Sequence, residues 1–303
     1  MIADNQIDVY NLIRSGRAGF YEQKRGLIAV WGTEAIPFLD GMITNDMKTL
    51  EDGGQMFAAF PNAQGRLLAV VRVLRQGDRY FFETEEATRE KLFQNLFRFT
   101  FAGDFFAEDL TESHAHFEIF GPKQDVYNPQ ASEKWPGIVA SELPYGSGYF
   151  VPAEQADRFR AFLTDENGCV TIDDEVYETL RIESGIPNFG IDMDETTIVP
   201  ELGLDEMISY TKGCYIGQEI IARIHFRGHV AKQLTGLRFS GPASPTELVS
   251  ADGKPAGRIT STAYSPKLGQ NIGLGYVRFE HLNEGTELEF EGGKATVTKL
   301  PFI

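Results

Sequence analysis

The 303-residue chain is 42% hydrophobic and 24% charged, an ordinary globular composition with room for two domains or more. Its 28 basic and 44 acidic side chains leave a net charge of −16, which disfavours non-specific attraction to anionic polymers. No apolar run is long enough to span a bilayer, Met1–Asn5 lacks a basic-then-apolar secretion pattern, and two cysteines, Cys169 and Cys214, make neither a disulfide framework nor a cysteine-rich metal spacing. A cytoplasmic protein with reduced thiols is expected.

In chain order, Gly26–Trp31 is a short apolar run fit for a buried strand, and Thr33-Glu34 opens a helix through Leu39 that Gly41 is expected to end. Residues 55–60, 67–74 and 79–83, separated by Pro61-Asn62-Ala63-Gln64-Gly65 and Gln76-Gly77-Asp78, predict three antiparallel strands. A helix over 85–99 places Leu92, Phe93, Leu96 and Phe97 at core spacing. Strands follow at 115–120 and 148–151, a helix at 153–163 closed by Asn167-Gly168, an apolar Cys169 at the start of a strand, and a helix at 173–183. The mixture is α+β, with no Gly-rich phosphate turn of a doubly wound fold. Beyond about Ala231, runs at 234–239, 257–263, 272–279, 287–290 and 295–300, punctuated by glycine turns, predict a small all-β barrel or sandwich.

Three constellations carry chemistry. Lys212-Gly213-Cys214-Tyr215-Ile216-Gly217-Gln218-Glu219 combines a thiol, an ammonium and two glycines, as in a loop that holds a ligand, with Lys212 positioned to favour the Cys214 thiolate. His225 and His229 offer Cys214 a base or further metal ligands, but Phe226-Arg227-Gly228 argues against one helix carrying both, and no fourth zinc ligand is near. Nucleophile, metal ligand and redox thiol all stay open. From Lys212 to Arg238, five cations stand against Glu219 alone, a local +4 that would steer an anionic ligand, while the rest of the chain carries −20. The acidic, Gly/Pro-broken stretch from Arg181 to Leu204 contains Glu201, a carboxylate able to accept two hydrogen bonds from a flat amino-heterocycle.

The octapeptide, followed by Ala222-Arg223 and Arg227-Gly228-His229, resembles the signature of the YgfZ family of folate-binding, iron–sulfur-maintenance proteins, relatives of the glycine-cleavage aminomethyltransferase, or T-protein. Phe38-Leu39-Asp40 with Thr44-Asn45-Asp46, Phe120-Gly121-Pro122, Thr260-Ser261-Thr262 through Ser265-Pro266, and Leu274-Gly275-Tyr276-Val277 resemble further superfamily motifs along the chain. The resemblance implies an α+β, three-domain T-protein-like ring around a central channel, with a C-terminal all-β barrel. Residues 1–50 plus 113–205 would form the first domain, 51–112 plus 206–230 the second, and 231–303 the barrel.

It further implies tetrahydrofolate in the channel with Glu201 on the pteridine. Lys212, Tyr215, Gln218, Arg223 and Arg227 are the other expected cofactor contacts, the two arginines meeting the glutamate tail or an anionic partner. Cys214 would be the reactive thiol facing a redox partner or a cluster. The implied function is support of iron–sulfur cluster assembly or repair in client proteins, tRNA-modifying enzymes among them, without a membrane and without direct nucleic-acid binding. One departure separates the chain from the transferase: the strand after Gly65 reads Arg66-Leu67-Leu68-Ala69-Val70-Val71, lacking the acidic residue that handles the aminomethyl group. A folate-dependent one-carbon transferase is the alternative.

Overall fold

A computed structural model describes residues 4–101, 103–121 and 134–303, so Met1, Ile2 and Ala3 of the amino-terminal pattern and Pro122 of the mid-chain motif lie outside the described residues. After helix α1 (Asp4–Arg14), strands β1 (Gly19–Gln23) and β2 (Arg25–Trp31) are separated by Lys24 alone, yet enter different sheets. With β3 (Gln55–Pro61), β4 (Leu67–Gln76), β5 (Arg79–Glu85) and β6 (Phe106–Asp109), β2 builds a sheet of order β3-β4-β5-β2-β6. With β7 (His114–Phe120), β8 (Val139–Leu143), β9 (Gly146–Pro152) and β10 (Val170–Thr171), β1 builds one of order β10-β1-β7-β9-β8. The residues 25–50 expected in the first domain therefore group with 55–109 instead, because alternate side chains of β2 are apolar on both faces and fit an interior strand.

Strand alternation explains how each sheet packs. Ala69, Val71 and Val73 of β4 and Phe82 of β5 turn to one face, where helices α2 (Ala35–Met42) and α3 (Glu86–Phe97) supply Leu39, Leu92 and Leu96, all buried. Each of the valine, leucine and phenylalanine side chains contributes about 1.5–3 kcal/mol of hydrophobic stabilisation. The opposite face meets the other sheet, through Leu27, Ala29, Leu74 and Phe81 against Val139 and Phe150. Beside that apolar contact lies a buried ion cluster in which Glu83 pairs with Arg25 at 2.9 Å and Arg72 at 2.6 Å. The outer face of the β10-β1-β7-β9-β8 sheet is closed by α4 (Ala156–Ala161), whose Phe159 packs edge-on to Phe117 and Trp135.

Helix α5 (Asp174–Glu183) starts at Asp173, whose side chain accepts from the Val176 N–H at 3.0 Å. It leads to the barrel, formed by β11 (Lys232–Phe239), β12 (Glu247–Val249), β13 (Pro255–Ser265), β14 (Gln270–Arg278), β15 (Glu287–Phe290) and β16 (Gly293–Thr298) and closed in the order β11-β14-β13-β12-β15-β16. Closure leaves no unpaired edge. Gly41 does not end α2, which runs to Met42; the chain turns at Ile43, whose N–H donates to Leu39. Among the described residues no helix is long and apolar enough to cross a membrane.

Candidate functional site

Glu201 sits in a single 3-10 turn, Val199–Leu202, between the start of β4 and barrel strand β11. The turn is stitched to the start of β4 by Leu67 N–H to Thr197 O at 2.8 Å and Val199 N–H to Gly65 O at 3.1 Å. Gly203 follows with φ +69, and a Cβ there would stand 2.4 Å from the Gln233 amide nitrogen of β11, so the turn lies directly against the barrel.

The Glu201 carboxylate is 6% exposed and accepts one hydrogen bond, from the Ile198 N–H at 3.3 Å. Burial pushes its pKa up, while Lys232, the Ile198 N–H, Arg66 and Arg258 act in the opposite direction. Among the described residues none of those cations closes to ion-pair distance, so the carboxylate retains acceptor capacity in a cationic, poorly solvated setting. Lys232 and Arg258 also lie 4.8 and 5.4 Å from the Tyr276 ring centroid, making an aromatic wall beside it. Arg258 escapes sequence reasoning because nothing local links β13 to a segment 57 residues earlier; barrel closure does.

The octapeptide divides into a loop and the first turn of helix α6 (Gln218–Arg227). Its expected ligands separate accordingly. Lys212 is buried, and its ammonium donates to the carbonyls of Asp40 (2.7 Å), Ile43 (3.1 Å) and Asn45 (2.5 Å) while pairing with the Asp40 carboxylate at 3.1 Å. It ties the loop to the end of α2 rather than presenting a free cation to Cys214 or to a ligand. Tyr215 is also buried, packed with Val199 and Leu202 on either side of Glu201, and burial raises its phenol to about 12. Gln218 folds back on the Gly213 carbonyl at 3.3 Å. Cys214, Arg223 and Arg227 are exposed.

Gly217 has φ +81, and a Cβ would meet the Asn62 carbonyl at 2.6 Å, so the head of α6 sits on the Asn62–Gly65 turn that begins β4. Helix α6 runs through Phe226 and Arg227 with Ile221 buried on its inner face, and Gly228 ends it before His229, so one helix does not carry both histidines. The two histidines diverge: His225 stacks on Tyr210 at 3.6 Å and His229 on Phe279 at 3.7 Å. On β4, Val70 shares a face with Arg72, while a bulge opposite Phe60 and Pro61 leaves Leu68 packed on the Ala69 side, and the carboxylates of the Arg72 face, Glu83 and Glu85, come from β5. Glu85 accepts the Phe189 N–H at 2.9 and 3.1 Å, and burial pushes its pKa up.

The chain matches two family models, the GCVT N-terminal domain over residues 12–128 and the glycine cleavage T-protein C-terminal barrel domain over 232–303. It is 27% identical to an aminomethyltransferase of Bdellovibrio bacteriovorus, over 97% of this chain and 90% of that protein. It is 26% identical to a mitochondrial iron-sulfur cluster assembly factor homologue of Mycosarcoma maydis, over 85% of this chain and 73% of that one. The crystal structure of the glycine cleavage system aminomethyltransferase T from Bartonella henselae superposes with a TM-score of 0.85 at 19% identity, over 97% of this chain and 89% of that chain.

Proposed function

From an aminomethyltransferase-like fold that ends in the T-protein barrel, we propose a tetrahydrofolate-binding protein that supports assembly or repair of iron–sulfur clusters in client proteins, tRNA-modifying enzymes among them. The observation that carries this reading is Glu201, a buried carboxylate with one hydrogen bond and no ion pair among the described residues, facing Lys232, Arg66, Arg258 and the Tyr276 ring. A pteridine's amino edge supplies the donors such a carboxylate lacks, and Arg66, Lys232 or Arg258 supplies cations for the anionic tail. Replacing Glu201 by Ala is expected to weaken tetrahydrofolate binding by at least roughly tenfold, the loss of a charged hydrogen bond, as read by calorimetry. Unchanged affinity would remove the assignment.

The maintenance role is favoured over transfer by the absence of any carboxylate along β4 and by a solvent-facing Cys214 on a loop fixed from both sides. A similarity to a cluster assembly factor homologue supports the same direction. Cys214→Ser is expected to fold normally and to leave iron–sulfur enzymes under-active in cells lacking the wild-type copy; full rescue by the serine variant shows the thiol to be dispensable. The transferase alternative has Glu85 in its favour, a half-buried carboxylate on the strand beside β4 whose pKa burial pushes up. Formation of methylenetetrahydrofolate from an aminomethyl donor at enzymatic rates, abolished by Glu85→Gln, would establish that reading instead.

A further inference from the structure

Helix α6 turns Ile221 into the fold, and the opposite stripe, Glu219, Arg223, Phe226 and Arg227 at helical spacing, faces solvent. Phe226 is 67% exposed, its ring meeting His225 and Tyr210 edge-on. Two residues past Arg227 the chain enters a cleft of about 370 Å³ whose wall includes His229, Lys232, Arg278, Phe279 and Glu280. His229 lies flat on the exposed Phe279 ring, with centroids 3.7 Å apart. The helix face and the cleft adjoin through Gly228 and together present aromatic rings and cations.

The charges on this surface are unusual for the chain. With 44 acidic residues against 28 basic ones, cations elsewhere find carboxylates even at exposed positions: Arg160 pairs with Glu22 at 2.6 Å, Lys134 with Glu166 at 3.1 Å and Lys294 with Glu287 at 2.8 Å. Arg223, Arg227 and Arg278 are exposed and form no ion pair among the described residues, although Glu219 stands one turn before Arg223 and Glu280 two residues after Arg278. Arginine and aromatic rings side by side are the composition enriched where proteins meet. A nucleic acid would bring uniform negative charge against the −20 carried outside residues 212–238, whereas a protein segment can confine its carboxylates to the patch.

We propose that the outer face of α6 and the adjoining cleft dock an acidic segment of a partner protein, an apolar residue of that segment lying against Phe226 and a carboxylate between Arg278 and His229. The contact is independent of whether the channel holds tetrahydrofolate.

Full-length protein carrying Phe226→p-benzoylphenylalanine is irradiated in cells, with Tyr264→p-benzoylphenylalanine, at an exposed site on β13, as the control. The joined peptide is sequenced by mass spectrometry. The expected product is a protein segment rich in Asp and Glu, formed from the first variant and not from the control. With that partner purified, the Arg227→Glu/Arg278→Glu double variant is expected to bind at least roughly tenfold more weakly and to regain affinity when the partner's carboxylates are changed to Lys. No product specific to the Phe226 site, a joined RNA, a joined peptide without carboxylates, or an affinity that ignores the charge reversal overturns the proposal. Tetrahydrofolate affinity measured on the same double variant separates the two sites: a loss there would assign the arginines to the folate tail and overturn the proposal as well.

Discussion

Two buried side chains, Lys212 and His116, show how little a residue's type says about its task. A lysine two positions before an exposed cysteine reads as an activating cation, and its spacing in the octapeptide is what made it conspicuous. In the fold, three carbonyls and the Asp40 carboxylate surround its ammonium, and burial pulls its pKa down against the pull of Asp40. His116, unremarkable in the sequence, lies beside Glu83, Arg25 and Arg72, and burial with the two guanidiniums drops its pKa to about 3. Glu83 falls to about 2, because Arg72 and Arg25 outweigh its burial.

Both shifts have the same sign for stability. The unfolded chain takes up a proton on His116 near 6.5, whereas the folded one resists until about 3, so His116 contributes stability that is complete above 6.5 and lost as pH falls. Glu83 extends the loss from 4.5 toward 2. Glu118 and Glu85, pushed up by burial, work against this slope, and both are common to wild type and variant. Urea unfolding is therefore expected to show wild-type stability declining between pH 6.5 and 4.5 while His116→Gln stays flatter over that window. Parallel curves would show that the imidazole takes up its proton as readily in the folded protein as in the unfolded chain.

At the scale of elements, the strands with uninterrupted apolar or alternating runs were legible and the short ones were not. Residues 25–31, 55–61, 67–76 and 79–85 form strands where periodicity predicts them. Gly19–Gln23, Phe106–Asp109, Val139–Leu143 and Glu247–Val249 escape notice, since five residues or fewer of mixed polarity become strands only through their partners. The loop before α6 is similar: its glycines announce a tight path, but only the fold reveals that Gly217 rests on the Asn62–Gly65 turn. Gly217→Ala forces a Cβ to within 2.6 Å of a backbone oxygen at a positive φ. It is expected to cost about 1–3 kcal/mol in unfolding free energy and to weaken tetrahydrofolate binding through displacement of the β4 start. A variant as stable as wild type would show the contact to be slack.

For the whole molecule, the barrel is joined to helix α5 and the segment around Asp192 by buried polar contacts as well as apolar ones. Arg181 of α5, 1% exposed, bonds Asp192 at 2.9 Å and the Ser261 hydroxyl of β13 at 3.0 Å, while Asp192 also accepts from Thr260 at 2.5 Å and Ser261 at 2.6 Å. Removing Asp192 leaves Arg181 with Glu178 as its one carboxylate partner and takes the acceptor from the buried Thr260 and Ser261 hydroxyls, so Asp192→Ala is expected to destabilise by about 1–3 kcal/mol and to release hydrogen-exchange protection in β13 before the rest of the barrel. Uniform loss of protection would mean that the units unfold as one. None of this coupling is visible in a linear chain, which is why Glu201 could be singled out from its motif while Arg258 and Tyr276, its neighbours from the barrel, could not.

The placement of the two thiols has a practical consequence. Cys169 is 7% exposed with its pKa raised by burial, whereas Cys214 stands in solvent on a loop clamped by Lys212 and Gly217. The native protein thus offers a single addressable thiol, so a fluorophore attached there without mutagenesis would report, in real time, changes where that loop meets the end of α2 and the Asn62–Gly65 turn.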